Sequence, residues 1–109
     1  MLPKRERIRS RERIKAILKT KQVHITSPLL NIIAEVNHES FPRWVVVCTK
    51  RLGQAVTRNR IRRVYLAAIS KIRRNVNKNM DIIVFPMAAN GPISLDQAAS
   101  ALERGVARI

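Results

Sequence analysis

Lys50 to Arg63 reads KRLGQAVTRNRIRR. Six of these fourteen residues are basic, none is acidic, and a single glycine follows the first basic pair. The apolar run RWVVVCT, Arg43 to Thr49, leads directly into it. Gly53 suits the exit from such a strand, because it tolerates a positive φ or a close backbone approach. Thr57 has the chemistry of an N-cap, so the spacing predicts a helix from Thr57 to about Arg74. Its first turn then carries Arg58, Asn59 and Arg60, with Arg62 and Arg63 close behind.

Arginines at a helix N-terminus oppose the macrodipole, which is already positive there. They are useful where an anion arrives, since backbone N–H groups, dipole and guanidinium forks then converge on one phosphate. A solvated basic face is the plain alternative. Against it stands the absence of any compensating acid between Ser40 and Met80. At about 100° per residue, Ile61, Val64, Tyr65, Ala68, Ile69 and Ile72 share one side of this helix. Asn59, Arg63, Ser70 and Arg74 line the opposite side, with Arg60 and Lys71 on one flank and Arg62 and Arg73 on the other. The candidate phosphate-binding residues are therefore Lys50, Arg51, Arg58, Asn59, Arg60, Arg62, Arg63, Lys71 and Arg74.

The whole chain agrees with that reading. Its 109 residues suit one domain, spanning 1–109, with a modest core. A balance of 22 Lys and Arg against 7 Asp and Glu gives a net charge of +15, which points to a polyanion, nucleic acid before membrane. Hydrophobic residues make up 46%, too many for a disordered basic tail. The one cysteine, Cys48, sits in the apolar run and suits a buried position in a reducing compartment. No targeting segment and no stretch of transmembrane length is visible, so a cytoplasmic protein is expected.

The flanks supply further elements. Ser10 caps an expected helix with Glu12 in its first turn and Ile14, Ile17 and Leu18 as an apolar stripe. Leu29 to Val36 reads as a strand. Asn37 to Pro42 is turn chemistry, so Arg43 to Thr49 is expected to return antiparallel as a central strand covered on both faces. Trp44 suits either the core or a cleft, its large area favouring the core. Asp81 to Phe85 is a short buried strand stopped by Pro86. Asn90-Gly91-Pro92 marks a loop. Ser94 and Gln97 form a capping box for a last helix, which Gly105 weakens or ends. The order is α-β-β-α-β-α, with a βαβ crossover that implies some parallel pairing.

No protein active site assembles from these residues. His24 and His38 are isolated, and nothing near Cys48 has metal-ligand spacing. The acids, from Glu6 to Glu103, form no close pair for general acid–base or two-metal work. Asp81 is read as a strand-start aspartate bonded to nearby backbone rather than a Mg²⁺ ligand.

Pro42 to Arg63 resembles the signature of the bacterial ribonuclease P protein component. There a strand runs into Lys-Lys/Arg-x-Gly-x-Ala-Val, then Arg-Asn-Arg and a further basic pair. The match is gapless through Lys50, Arg51, Gly53, Ala55, Val56, Arg58, Asn59, Arg60, Arg62 and Arg63. The resemblance implies an α+β fold, a two-layer sandwich with a small mixed sheet and a left-handed βαβ crossover, shared with one domain of a small-subunit ribosomal protein. It implies two partners, the catalytic RNA of ribonuclease P and precursor tRNA, with no membrane or DNA partner. It implies that the RNA, using Mg²⁺ held mainly by RNA, removes the 5′ leader while the protein is non-catalytic. The leader would lie as a single strand between the first helix and the sheet, a cleft assigned to Arg11, Ile14, Leu18 and Trp44. Ile14 and Leu18 stand where the family carries aromatics, and Thr20 to Gln22 where it has a glycine. Val45 and Val47 replace its glycine and serine. A small basic ribosomal or other structural RNA-binding protein is the alternative. A helix-turn-helix DNA binder fits less well, because a strand runs straight into the Arg-rich helix.

Overall fold

A computed structural model describes residues 2–87 and 92–109. Three helices and four strands follow in the order α1 (Arg11–Thr20), β1 (Val23–Thr26), β2 (Leu30–Val36), β3 (Arg43–Val46), α2 (Ala55–Ile72), β4 (Met80–Pro86) and α3 (Leu95–Ala107). The expected loop at Asn90-Gly91 lies outside the described residues.

The sheet has the order β1-β2-β4-β3 and is mixed. β2 pairs antiparallel with β1 and β4, while β3 pairs parallel with β4. The βαβ crossover is thus β3-α2-β4. β3 does run opposite to β2, but β4 lies between them. β4 is the strand paired on both sides here, and its residues Met80 to Val84 are all buried. β3 is therefore an edge strand rather than a central one. Its free side is partly covered by the N-terminal lead, through an isolated bridge of Arg7 with Trp44 in which Ile8 N–H donates to Trp44 O at 2.9 Å.

Strand alternation divides the core in two. Leu30, Ile32, Ala34, Trp44, Val46, Ile82 and Val84 face α2 and α3, where Tyr65, Ala68, Ile69, Ile72, Leu102 and Val106 close over them. Ile33 and Ile83 face the other way, packing with Ile8 and Ile17 of the N-terminal lead and α1. Each fully buried aliphatic side chain is worth roughly 1.5–3 kcal/mol. The α2–α3 layer therefore dominates stability, and α1 is held over the second face by a much smaller cluster.

The ends of the helices follow local chemistry. Ser10 Oγ accepts from Arg13 N–H at 3.2 Å. Ser94 and Gln97 make both bonds of the capping box, at 3.1 and 2.9 Å. Gly105 does not end α3. It lets the helix approach β2, since a Cβ built there would stand 2.7 Å from Ile32 Cδ1.

Candidate nucleic-acid interface

Gly53 carries φ 120° and ψ −160°, which an L side chain rarely adopts. This turn follows the short 3₁₀ segment Lys50–Leu52 and sends the chain into α2 at Ala55, two residues earlier than the sequence suggests. Gln54, not Thr57, is the N-cap, and no side chain bonds the first turn. Thr57 lies inside that turn because the backbone is already helical there. The start of α2 is thus uncapped and free of acid, with its first-turn donors open to an incoming acceptor.

Around it, Lys50, Arg51, Asn59, Arg60 and Arg63 are exposed. Arg74 is exposed too, in the 3₁₀ turn Arg73–Asn75 that continues α2. Arg58 and Arg62 are half-buried on the flank towards Cys48. Burial pushes the Cys48 thiol up, and these two guanidiniums only partly offset it. Arg58 Nε is buried without a hydrogen-bond partner, while Arg62 Nη1 donates to Asn59 Oδ1 at 3.0 Å. Lys71 is already engaged with Asp96 of α3, at 3.0 Å on an exposed surface, where such a pair is weak. Arg73 differs from its neighbours: it donates to Glu6 at 2.6 and 2.8 Å and fastens the N-terminal lead to the end of α2.

A second surface lies on the α1 side of the sheet. Ile14 and Leu18 are half-buried against Ile17, Ile33 and Ile83, and Arg11 is exposed at the start of the helix. Val45, Val47 and Phe85 form the partly exposed remainder of that face. Sequence reasoning left them off this surface, although strand alternation from Ile33 and Ile83 marks their side. Trp44, assigned to the leader cleft from the sequence, does not lie on this surface. Its even position in β3 turns it towards α2, where it is 1% exposed in the main core.

The tie between α1 and the sheet was also missed. Asp81, 0% exposed at the second position of β4, accepts from Arg43 Nε and Nη2, each at 2.7 Å. It also accepts from Arg13 Nε at 2.7 Å and Asn37 Nδ2 at 3.0 Å. Arg13 reaches on to Glu35 Oε1 at 3.3 Å and Val36 O at 3.0 Å. Burial alone would push the Asp81 carboxyl up; the bonds from Arg43, Arg13 and Asn37 outweigh it and hold it below the usual carboxylate range. Its partners are therefore side chains rather than the backbone groups expected. Among the described residues no group of three His, Cys, Asp or Glu stands close enough to hold a metal ion. No helix among them is long and apolar enough to cross a membrane.

A mixed sheet feeding an uncapped, acid-free basic helix defines a small α+β nucleic-acid-binding protein. The comparisons narrow this. The family model described as Ribonuclease P matches residues 2–109, so the chain belongs to the bacterial ribonuclease P protein family. RNA binding and a part in tRNA processing follow from that membership. The RNase P protein from Thermotoga maritima superposes with a TM-score of 0.84 at 20% identity, over 95% of this chain and 97% of that one. A Staphylococcus aureus RNase P protein mutant with defective mRNA degradation activity gives 0.83 at 24% identity, over 96% and 88%. Another S. aureus RNase P protein structure gives 0.78 at 23% identity, over 94% of each chain. Among curated proteins no sequence matches.

Proposed function

We propose that this chain is a non-catalytic subunit that binds the ribonuclease P RNA through the α2 surface and the 5′ leader of precursor tRNA through the α1 face. The observation that carries the reading is the start of α2. Exposed Lys50, Arg51, Arg60 and Arg63 surround a helix terminus with neither a side-chain cap nor an acidic residue. Arg58, Asn59, Arg62, Lys71 and Arg74 extend that surface along the helix. Such an array suits phosphates held in fixed positions.

Hydrolysis of the leader would then belong to the RNA, with Mg²⁺ held mainly by RNA. The one buried carboxylate on the sheet, Asp81, is filled by two guanidiniums and an amide and has no free lone pair facing solvent for a metal. The protein's contribution is positive charge and shape, exercised in the cytoplasm by one RNA-binding domain.

The test is capture of RNA by the tagged chain from its own cells. Enrichment of ribonuclease P RNA and tRNA precursors is the expected result, with Arg60→Ala/Arg63→Ala lowering it while the melting temperature holds. Preferential capture of ribosomal RNA would favour a ribosomal protein instead.

A further inference from the structure

Arg73 stands apart from the cations assigned above. Its Nη1 donates to both oxygens of Glu6, at 2.6 and 2.8 Å, and Glu6 is 5% exposed. Among the described residues the Nε and Nη2 of Arg73 make no hydrogen bond, and neither is buried. The guanidinium is therefore held at one nitrogen and open along its Nε–Nη2 edge, which can grip a phosphate at two points.

Arg73 also lines a cavity of about 310 Å³, set between the N-terminal lead, the turn after β2 and the segment leading into β4. Phe41 and Val76 give this cavity an apolar side, and the exposed Asn77 and Asn79 offer amides. Cations stand around it. The Arg5 guanidinium lies over the Phe41 ring, 5.5 Å from its centroid, and Arg74 is exposed next to Arg73. Glu6 is the only acid among the described lining residues, and it is already paired. Cations at the C-terminal end of α2 also complement the helix dipole. That accounts for the charge, but not for a buried carboxylate that grips one nitrogen and leaves the other edge free beside a cavity.

We propose that Arg73, oriented by Glu6, and this cavity form a second anchoring site for the ribonuclease P RNA, one nucleotide in extent. The phosphate sits on the free guanidinium edge, and the sugar and base lie against Phe41 and Val76. A bare ion would leave that apolar side uncovered, so the occupant is a nucleotide of the RNA rather than free phosphate. At a rise of about 1.5 Å per residue, Arg73 lies about 15 Å along the helix from Arg63. Two anchors at that separation fix the direction in which the RNA crosses α2. The proposal rests on the reading that α2 faces this RNA, and it adds Arg73 as a binding residue and Glu6 as a positioning residue.

Affinity for ribonuclease P RNA is measured for the full chain and for Arg73→Lys, Glu6→Gln and Arg60→Ala/Arg63→Ala. Melting profiles and hydrogen exchange at Ile8 N–H, bonded to Trp44 O at 2.9 Å, report whether the lead stays docked. Arg73→Lys keeps the charge but loses the two-point edge. It is expected to weaken binding by about 10- to 150-fold, the range for one charge-assisted hydrogen bond. Glu6→Gln removes a negative charge, which on charge alone strengthens RNA binding. Loss of the positioning carboxylate instead weakens it, and adds nothing further to Arg73→Lys. A second readout needs no substitution: 5′-AMP added to the wild-type chain should shift the amide NMR signals of Ser40, Asn77 and Asn79 at lower concentration than inorganic phosphate does. An equal response to the two, or none, would overturn the nucleotide site. Wild-type RNA affinity in Arg73→Lys and Glu6→Gln would overturn this inference alone, so long as Arg60→Ala/Arg63→Ala still weakens binding. If that variant also binds as the wild type does, the α2 reading falls with it.

Discussion

Arg13, in the first turn of α1, donates from Nε to Oδ2 of Asp81 at 2.7 Å, joining residues 68 apart in the chain. A cation in that turn opposes the helix dipole, so its position makes sense through the tether it forms. Few apolar contacts hold α1 to its face of the sheet, and this bond fixes the helix beside Ile33 and Ile83. Arg43 grips the same carboxylate from β3 at two points. One buried aspartate therefore sets the relation of α1, β3 and β4.

Asp81→Asn removes the charge and keeps the shape, leaving Arg13 and Arg43 without their anion. The expected loss of stability is about 2–4 kcal/mol, less than for a fully buried pair because both guanidiniums reach solvent. The folded carboxyl titrates below its unfolded value of about 3.9, so the unfolded chain binds more protons in that window. Its stabilisation is thus complete above that value and is lost as pH falls through the folded pKa. Denaturation curves from pH 3 to 7 should show the wild type and Asp81→Asn converging on acidification. A constant difference across the range would refute the assignment.

Gly105→Ala sets helix propensity against packing. Alanine favours a helix by roughly 1 kcal/mol over glycine. Its Cβ, however, would meet Ile32 Cδ1 at 2.7 Å within the main core. Overpacking should win, with a net loss of about 1–2 kcal/mol in urea denaturation. Ile32→Val removes the offending methyl and should recover part of that loss in the double variant.

How much of this was legible depended on the range of the interaction. The caps at Ser10 and Ser94, the packed face of α2 and the basic surface opposite follow from spacing along one element, and the structure reproduces them. What failed required knowing neighbours in space. β1 is four residues long with only Ile25 buried, too little apolar pattern to declare a strand. β3 looks central by composition but becomes an edge strand once β4 pairs with both β2 and β3. Trp44 could be placed only after its side of β3 was known. Arg13 and Arg43 carry no sequence signal of a shared partner, since Asp81 lies 68 and 38 residues away. Thr20 to Gln22 lack a glycine, yet Lys21 adopts the left-handed conformation, φ 45°, and closes α1 with a 2.9 Å bond to Ile17 O. The backbone device survives a residue that suits it poorly.

The basic surface makes a prediction about salt. If about five cations contact phosphates, the log–log slope of RNA affinity against salt should be roughly −3.5 to −4.5. Replacing Arg60 and Arg63 with alanine should flatten it by about 0.7–0.9 per residue, and weaken binding by roughly 1–3 kcal/mol for each lost contact. A slope near zero, measured by filter binding over a salt series, would mean that the α2 face is only solvated.

The central claim is that this chain assists an RNA that carries the chemistry, and precursor tRNA cleavage at low Mg²⁺ tests it most directly. Three samples are compared: the purified chain, the matching ribonuclease P RNA, and the two together. The account predicts no cleavage by the chain alone and faster 5′-leader removal by the RNA when the chain is added. Cleavage by the chain after rigorous removal of RNA and contaminating nucleases, or an RNA whose rate the chain leaves unchanged, would contradict it.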